Sequence, residues 1–207
     1  MQMVEGQLRR RGIHDERVLE AMATIPREKF VPDLIRASSY ADEPLSIGHG
    51  QTISQPYITA LMAELLELTG GEKVLEVGTG CGYHAVVLAM LAREVITVEI
   101  VGELAATARR NLAAAGICNV TVITGDGSVG YPPEAPYDAI SVAAAAPAAP
   151  PSLVRQLADG GRLVIPVGSL DAQELRVISR SGGQLTTRAA SACRFVPLRG
   201  GEGWALN

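Results

Sequence analysis

The sequence predicts an α/β protein with a doubly wound, mostly parallel sheet of seven strands, N-terminal helices and an antiparallel C-terminal edge. From residue 73 onward, short apolar runs alternate with segments of helical periodicity, a pattern typical of parallel strands joined by right-handed crossovers. The last two strand-like runs are separated only by Ser181, Gly182 and Gly183, which indicates a hairpin. The sheet is therefore expected to end in an antiparallel pair.

The first fifty residues are predicted to form helices that cover one end of the sheet. Asp15 is placed to cap a helix whose apolar residues recur every three to four positions. A second helix is predicted to begin at Pro56 and to end at the pair Gly70 and Gly71, because the apolar residues between them follow helical spacing.

The elements of the alternating region follow from the change of period along the chain. Helices are expected at 83–92, at 102–116, where Gly116 is a favoured C-cap residue, and at 150–161, where Pro151 suits the helix start. Strands are expected at 73–78, 94–100, 120–125, 137–143, 161–167, 175–181 and 185–198.

One domain is expected over residues 1–207, because this length is sufficient for a substantial core and no linker or repeat interrupts it. Its parts are predicted to be an N-terminal helical part with a substrate loop (1–70), a cofactor-binding core (71–170) and C-terminal strands (171–207).

Composition excludes several functional classes. The chain is 47% hydrophobic and 19% charged, as in ordinary globular proteins. A net charge of -4 without a basic cluster argues against a nucleic-acid partner. No signal peptide or membrane span is visible, so a cytoplasmic protein is expected. A monomer is expected as well, although no sequence feature determines the oligomeric state. Cys81, Cys118 and Cys193 are too few and too far apart for a disulfide framework, and no metal site is expected.

A glycine-rich turn follows the first strand of the alternating region. Gly78, Gly80 and Gly82 would let the backbone turn sharply and approach a ligand closely before the next helix. A turn that needs glycine for structural reasons alone would show the same residues, so the loop by itself is a weak signal.

Two further acidic positions make a cofactor site the better interpretation of this loop. The spacing is E-x-G-x-G-x-G from Glu76, not the G-x-G-x-x-G of dinucleotide loops. Glu99 closes the second strand, where a carboxylate can accept hydrogen bonds from both hydroxyls of a ribose, although it could also be a solvated charge. The turn at 125–127 follows the third strand. These positions share the carboxyl edge of the sheet and favour S-adenosylmethionine over NAD.

The stretch GHGQTISQPY at 48–57 places polar residues directly before a helix. Pro56 disfavours helical geometry at Gln55, so the helix should begin at Pro56 and leave Ser54 just outside it. The positive end of that helix would face the same space and favour an anion. The alternative is a capping box from Thr52 to Gln55, and spacing alone leaves both interpretations open.

Seven segments spread along the chain match the pattern of one known family. They are IPREKFV (25–31), GQTISQPY (50–57), VLEVGTGCGY (74–83), GDG (125–127), APYDAISVAAAAP (135–147), GGRLVIPVG (160–168) and RFVPL (194–198). Together they resemble the protein-L-isoaspartate (D-aspartate) O-methyltransferase family, which repairs damaged proteins. The glycine motif is shared by many S-adenosylmethionine-dependent methyltransferases of Rossmann-like fold, whereas its combination with GQTISQP and RFVPL is far more specific.

The resemblance implies a reaction. S-adenosyl-L-methionine would methylate the free carboxylate of L-isoaspartyl and D-aspartyl residues in damaged proteins and peptides, leaving S-adenosyl-L-homocysteine. The methyl ester would then form a succinimide, which reopens partly to normal aspartate. Since a carboxylate is already ionised at neutral pH, no general base is needed, and Ser54 is interpreted as a hydrogen-bond donor that orients the carboxylate.

The resemblance also implies which residues form the site, with Ser54 as the catalytic-site serine. Cofactor contacts are expected from Thr52, Ile53, Gly78, Thr79, Gly80, Glu99, Ile100, Gly125, Asp126, Gly127 and Ala143. Substrate contacts are expected from Ile47, Gly48, Gln51, Val196, Pro197 and Leu198. Departures from the family pattern stand at Ser46, Ala143 and Arg199, and they bear on peptide preference more than on reaction type.

Three other hypotheses remain at this stage. The chain could be a carboxyl methyltransferase of the same fold that acts on a dedicated peptide, a non-catalytic cofactor-binding module, or an NAD oxidoreductase, which the glycine spacing disfavours. Two single residues are also ambiguous. Asp126 could belong to a simple Asp-Gly turn or contact adenine, and Asp138 could stabilise the fold or serve the site.

Overall fold

A seven-stranded sheet forms the centre of the protein in this computed structural model, which describes residues 3–205. The seven strands of this sheet are β3 (Lys73–Val77), β4 (Glu94–Glu99), β5 (Val120–Thr124), β6 (Tyr137–Val142), β7 (Leu157–Gly168), β8 (Gln173–Ser181) and β9 (Gln184–Cys193). Two further strands, β1 (Leu45–Gly48) and β2 (Gln51–Ile53), form a separate two-stranded sheet. The helices are α1 (Glu16–Thr24), α2 (Pro56–Leu65), α3 (Tyr83–Leu91), α4 (Gly102–Ala114) and α5 (Pro151–Gln156).

The strand order of the large sheet is β5-β4-β3-β6-β7-β8-β9. The first five strands in this order, from β5 to β7, are all parallel to one another. The pairs β7–β8 and β8–β9 are antiparallel. This arrangement confirms the predicted fold class and its antiparallel edge. It also brings the carboxyl ends of β3, β4, β5 and β6 together at one edge, where open α/β sheets bind ligands.

Alternate residues of the central strands enter two separate apolar cores. Val74 packs into one core with residues of α1, α2 and α3, while its neighbour Leu75 packs into the other, which includes Leu153 of α5. Because side chains alternate across a strand, β3 is buried on both faces and reads in the sequence as a continuous apolar run.

The N-terminal region is less helical than predicted. The cap at Asp15 is confirmed, since its carboxylate accepts hydrogen bonds from the amides of Arg17 (2.8 Å) and Val18 (3.4 Å) at the start of α1. However, residues 45–53 form an antiparallel hairpin, β1–β2, rather than a helix. Its turn uses left-handed backbone at His49 (φ 55°) and Gly50 (φ 70°), and its strands are too short for a clear alternating pattern.

Three element boundaries also differ from the prediction. Helix α2 ends at Leu65, before the two glycines. The helix predicted over 150–161 ends at Gln156, and β7 begins at once because Leu157 already pairs with Tyr137 of β6. The strand predicted over 185–198 ends at Cys193.

The residues after β9 leave the large sheet and cross the carboxyl edge of β6. Leu198 donates its amide hydrogen to the carbonyl of Ala145 at 2.7 Å, and the indole of Trp204 donates to the same carbonyl at 2.9 Å. The predicted strand RFVPL therefore becomes a segment that lies over the ligand-binding edge. Within residues 3–205, no helix has the length and apolar character needed to span a membrane.

Candidate active site

A cleft opens at the carboxyl edge of the large sheet. One wall, here called the core wall, comes from the ends of β3, β4 and β6 and the loops that follow them. The opposite wall, the cover wall, is made by residues 51–54 of the hairpin and its exit and by residues 196–199 of the C-terminal segment. About 790 Å³ of space in and before the cleft, open solvent included, is free of protein atoms.

Most of the residues predicted for the site line this one cleft. The exceptions are Ile47, Gly48, Gly125 and Asp126. Ile47 lies directly behind the lining, because a Cβ added at Gly80 would be 3.2 Å from its Cδ1 atom. The hairpin thus packs against the glycine loop, and the two walls are in contact at that point.

The glycine loop has a backbone that other residues adopt only with strain. Gly78 and Gly80 have φ angles of 91° and 55°, in the left-handed region. The Gly78 amide donates to the carbonyl of Val98 on β4 at 2.9 Å. The loop therefore turns tightly across the end of β4 and presents bare backbone to the cleft.

Glu99 is held by this loop rather than by solvent. It is 5% exposed, so the interpretation as a solvated charge is wrong. One carboxylate oxygen accepts from the amide of Gly80 at 2.8 Å, and the other accepts from the amide of Val101 at 3.0 Å. Each oxygen can accept a further hydrogen bond, so the carboxylate is suited to a vicinal diol in the cleft.

Glu76 has a different environment on the neighbouring strand. Its side chain is fully buried, and Thr97 lies 2.5 Å from one oxygen and 2.6 Å from the hydroxyl of Thr79 in the loop. Burial, with the nearby Glu99 charge as a smaller cause, raises the pKa of Glu76 to about 8. At neutral pH this carboxyl is therefore mainly protonated. It is connected to the glycine loop through the hydroxyl of Thr97, which contacts Thr79.

Ser54 lies on the cover wall with its hydroxyl free. No described residue in 3–205 forms a hydrogen bond with that hydroxyl, whereas its carbonyl accepts from Arg27 at 2.7 Å. Gln55 is the N-cap of α2, and its own side chain forms no capping hydrogen bond, so the capping-box interpretation is wrong. The Tyr57 amide at the helix start already meets Asp42 at 3.1 Å. The predicted attraction of a ligand anion to this helix end therefore does not apply at that amide.

The loop at 125–127 contributes only in part to the cleft. Gly127 lines it, but Asp126 turns away and accepts from the amide of Ser128 and from the amide of Gly201, both at 2.8 Å. Asp126 thus fastens the C-terminal segment to the core wall. This geometry places its carboxylate outside the lining where an adenine contact was predicted.

Sequence reasoning missed several lining residues that follow the motifs directly. Tyr83 and His84, at the start of α3, face the cleft and are buried. The Nε2 atom of His84 has no partner among the described residues, and burial lowers the pKa of this histidine to about 4. Asp138 lies at the opposite edge of the sheet, where it accepts from the amide of Lys73 at 2.8 Å, so its role is to stabilise the fold.

The donor and acceptor set of the cleft fits an adenosyl ligand. Glu99 offers two acceptors for a ribose, the glycine loop leaves room for close approach, and His84 offers an unpaired buried nitrogen. No group of three potential metal-ligating side chains occurs within residues 3–205.

Comparisons of sequence identify relatives along nearly the whole chain. The family model described as protein-L-isoaspartate(D-aspartate) O-methyltransferase (PCMT) matches residues 1–203. The protein-L-isoaspartate O-methyltransferase of Koribacter versatilis is 55% identical over 203 residues, covering 98% of this chain and 91% of the relative. That of Methanoculleus marisnigri is 53% identical over 203 residues, covering 98% and 92%.

Comparisons of structure agree with the sequence relatives. A solved protein-L-isoaspartate O-methyltransferase has a TM-score of 0.85 and 31% identity, with 97% of this chain and 66% of that chain covered. A structure from Plasmodium falciparum, described as a protein-L-isoaspartate O-methyltransferase in complex with S-adenosyl-L-homocysteine, has a TM-score of 0.83 and 29% identity, covering 96% and 97%. The chain therefore belongs to the protein-L-isoaspartate (D-aspartate) O-methyltransferase family.

Proposed function

We propose that this protein transfers a methyl group from S-adenosyl-L-methionine to the free carboxylate of L-isoaspartyl residues, and of D-aspartyl residues, in damaged proteins and peptides. The methyl ester starts repair through a succinimide. One observation supports the proposal most strongly: Glu99 and Ser54 lie on opposite walls of the same cleft. The Glu99 carboxylate is suited to a ribose, and the Ser54 hydroxyl is free to contact a substrate.

The core wall is proposed to hold the cofactor. Glu99 would accept from the two ribose hydroxyls, and the backbone from Gly78 to Gly80 would pass close to the methionine part. Gly127 and Ala143 would offer small surfaces to the adenosine. When bound, S-adenosyl-L-methionine supplies a methyl group on a positively charged sulfur. Thr52 and Ile53 would complete the cofactor site from the hairpin.

The cover wall is proposed to orient the substrate. A carboxylate with an ordinary pKa of about 4 is ionised at neutral pH, so the protein need not remove a proton from it. Ser54 would donate one hydrogen bond to a carboxylate oxygen and so direct the other oxygen toward the methyl group. A single neutral donor achieves this orientation without neutralising the nucleophile.

The remaining cover residues are proposed to exclude water and to bind the peptide. Val196, Pro197 and Leu198 place apolar groups and backbone along the cleft, which would protect the reacting atoms from solvent. Gln51 and Arg199 lie at the same rim. The proposal places the enzyme in the cytoplasm as a monomer with neither nucleic acid nor membrane as partner.

Methyl transfer to three matched peptides tests the proposed function. The peptides are identical except for one residue, which is L-isoaspartate, D-aspartate or L-aspartate, and transfer of labelled methyl is measured for each. We expect rapid transfer to the isoaspartyl peptide, slower transfer to the D-aspartyl peptide and none to the aspartyl peptide. A protein that binds S-adenosyl-L-homocysteine but methylates no isoaspartyl peptide would contradict the proposal and favour a dedicated peptide substrate.

A further inference from the structure

Arg27 is a fully buried cation that lies behind the Ser54 loop. Its Nε atom donates to the carbonyl of Ser39 and one Nη atom donates to the carbonyl of Ser54, both at 2.7 Å. The guanidinium carbon lies 4.8 Å from the centre of the Tyr83 ring, so the charge also packs against an aromatic face. Arg27 has 0% of its surface exposed.

No carboxylate neutralises this charge among the described residues. Arg27 takes part in none of the ion pairs formed within 3–205, and its second Nη atom is buried without a partner. Burial lowers the pKa of the guanidinium from its ordinary value, and the phenol group of Tyr83 and the thiol of Cys81 oppose that shift. Desolvation of an ion costs several kcal/mol, and the groups that offset this cost are the two carbonyls and the Tyr83 ring.

The three groups that Arg27 contacts lie in three separate segments. Ser39 lies in the segment that leads to the hairpin β1–β2 and Ser54 directly follows the hairpin, so the two carbonyl bonds connect the chain before the hairpin to its exit. Tyr83 is the first residue of α3 and comes directly after the glycine loop. One rigid guanidinium therefore links the cover wall to the loop of the core wall.

We propose that Arg27 is a positioning residue for methyl transfer, which fixes the Ser54 hydroxyl relative to the glycine loop through its bond to the Ser54 carbonyl. This inference rests on the proposed function. The planar fork of arginine can span two carbonyls while it stacks on a ring, whereas the single ammonium of lysine cannot. A lysine here would retain the charge but lose the fixed distance between the two walls.

A double-mutant cycle between Arg27→Lys and Ser54→Ala tests the inference. Displacing a reacting group by about 1 Å can reduce the rate on the order of a hundredfold, so Arg27→Lys should lower kcat for the isoaspartyl peptide by roughly ten- to a hundredfold. The affinity for S-adenosyl-L-homocysteine should stay within about threefold. In the Ser54→Ala background, Arg27→Lys should lower kcat by no more than about twofold, because the group it positions is gone.

Arg17→Lys is the matched control. Arg17 also donates to two backbone carbonyls, those of Leu68 (2.6 Å) and Leu91 (3.1 Å), but these lie at the opposite edge of the sheet. This variant should lower the melting temperature and leave kcat unchanged. Circular dichroism and thermal unfolding of every variant show what fraction is folded, and rates are compared per folded enzyme.

Three results would overturn the inference. They are an Arg27→Lys enzyme with wild-type kcat, additive losses in the cycle, and a Ser54→Ala enzyme with wild-type kcat. Failure of the wild-type enzyme to methylate the isoaspartyl peptide would instead overturn the proposed function and the inference with it. If Arg27→Lys does not fold, Arg27→Gln replaces it in the cycle, since it removes the buried charge and its single amide group cannot donate to both carbonyls. The same lack of additivity is expected, and additive losses would again overturn the inference.

Discussion

The two walls of the cleft are built in different ways. The core wall is held by hydrogen bonds between the glycine loop and the end of β4, from the Gly78 amide to the Val98 carbonyl and from the Gly80 amide to the Glu99 carboxylate. The cover wall comes from opposite ends of the chain, the hairpin and the C-terminal segment. The strand order alone therefore places the first wall, whereas the second depends on individual long-range contacts.

This difference has a consequence for function. In the proposed enzyme, the core wall binds a cofactor that every related reaction uses, and the cover wall selects and orients the carboxylate. The contacts that hold the cover wall join residues far apart in the sequence, and they include those of Arg27 with the Ser54 carbonyl, of Leu198 with the Ala145 carbonyl and of Gly201 with Asp126. Changes in the core wall should thus appear mainly in cofactor affinity. Changes at Ser54 and at the contacts that hold it should appear mainly in the rate, whereas Thr52 and Ile53 of the cover wall are also proposed to face the cofactor.

The largest effect is expected for Gly80→Val in the core wall. At a φ of 55°, and with Ile47 only 3.2 Å from the added Cβ, a branched side chain would strain the loop and push the hairpin away. We expect no measurable binding of S-adenosyl-L-homocysteine by calorimetry, with a far-UV circular dichroism spectrum like that of the wild type.

Gly71→Ala is the control for that substitution. A Cβ at Gly71 meets no atom within 4 Å, and its backbone is not left-handed, so binding should be unchanged. Normal binding by Gly80→Val would show that the loop does not approach the cofactor closely, and the separation of the two walls would lose its main support.

Glu99→Ala should give the next largest effect on the core wall. Hydrogen bonds to a charged group contribute about 1.5 to 3 kcal/mol, so the dissociation constant for S-adenosyl-L-homocysteine should rise roughly ten- to a hundredfold. Glu94→Ala, at the start of the same strand β4, is the control and should bind normally. An unchanged affinity for Glu99→Ala in calorimetry would refute the ribose contact.

Glu76→Gln is expected to have the smallest effect on activity, and it tests the interior of the core wall through the pH dependence of stability. A folded-state pKa of about 8, raised by burial, lies above the unfolded value of about 4.5. Between these two values the unfolded state loses the proton first, so the wild type loses stability as pH rises, by at most about 1.4 kcal/mol per pH unit from this group. Glutamine has no such dependence.

Chemical unfolding at several pH values measures that difference. The stability of Glu76→Gln relative to the wild type should increase between about pH 5 and 8, and kcat should change little because Glu76 lies beneath the loop. A constant difference across this range would mean that the Glu76 carboxyl is already ionised in the folded protein at pH 5.

The core wall could be predicted well from the sequence, because short-range sequence patterns determine its strands, its helices and its glycine loop. Apolar runs alternating with helical segments specify the sheet, and glycines at 78 and 80 followed by Glu99 mark the ends of adjacent strands. The boundaries were less accurate. The strand start at Leu157 depends on pairing with Tyr137 across the sheet, which no local pattern reveals.

The cover wall was predicted mainly through the family resemblance. The hairpin at 45–53 has strands of only four and three residues, too short for periodicity to distinguish from a loop. RFVPL was expected in a strand, yet it crosses the edge of the sheet. It is held there because Leu198, its last residue, donates to the Ala145 carbonyl, and Gly201, which follows it, donates to the Asp126 carboxylate. Arg27 gave no sign of burial, since an arginine in a proline-bounded turn is ordinarily exposed.

Ser54→Ala, assayed for rate and affinity side by side, tests the division between the walls most directly. Single-turnover methyl transfer to the isoaspartyl peptide is measured together with calorimetric binding of S-adenosyl-L-homocysteine. Loss of one oriented donor should lower the rate on the order of a hundredfold, while affinity stays within a few fold and mass spectrometry detects no methylated serine in the wild type. Wild-type turnover by Ser54→Ala would contradict the orienting role, and a loss of affinity equal to the loss of rate would contradict the separation of the two walls.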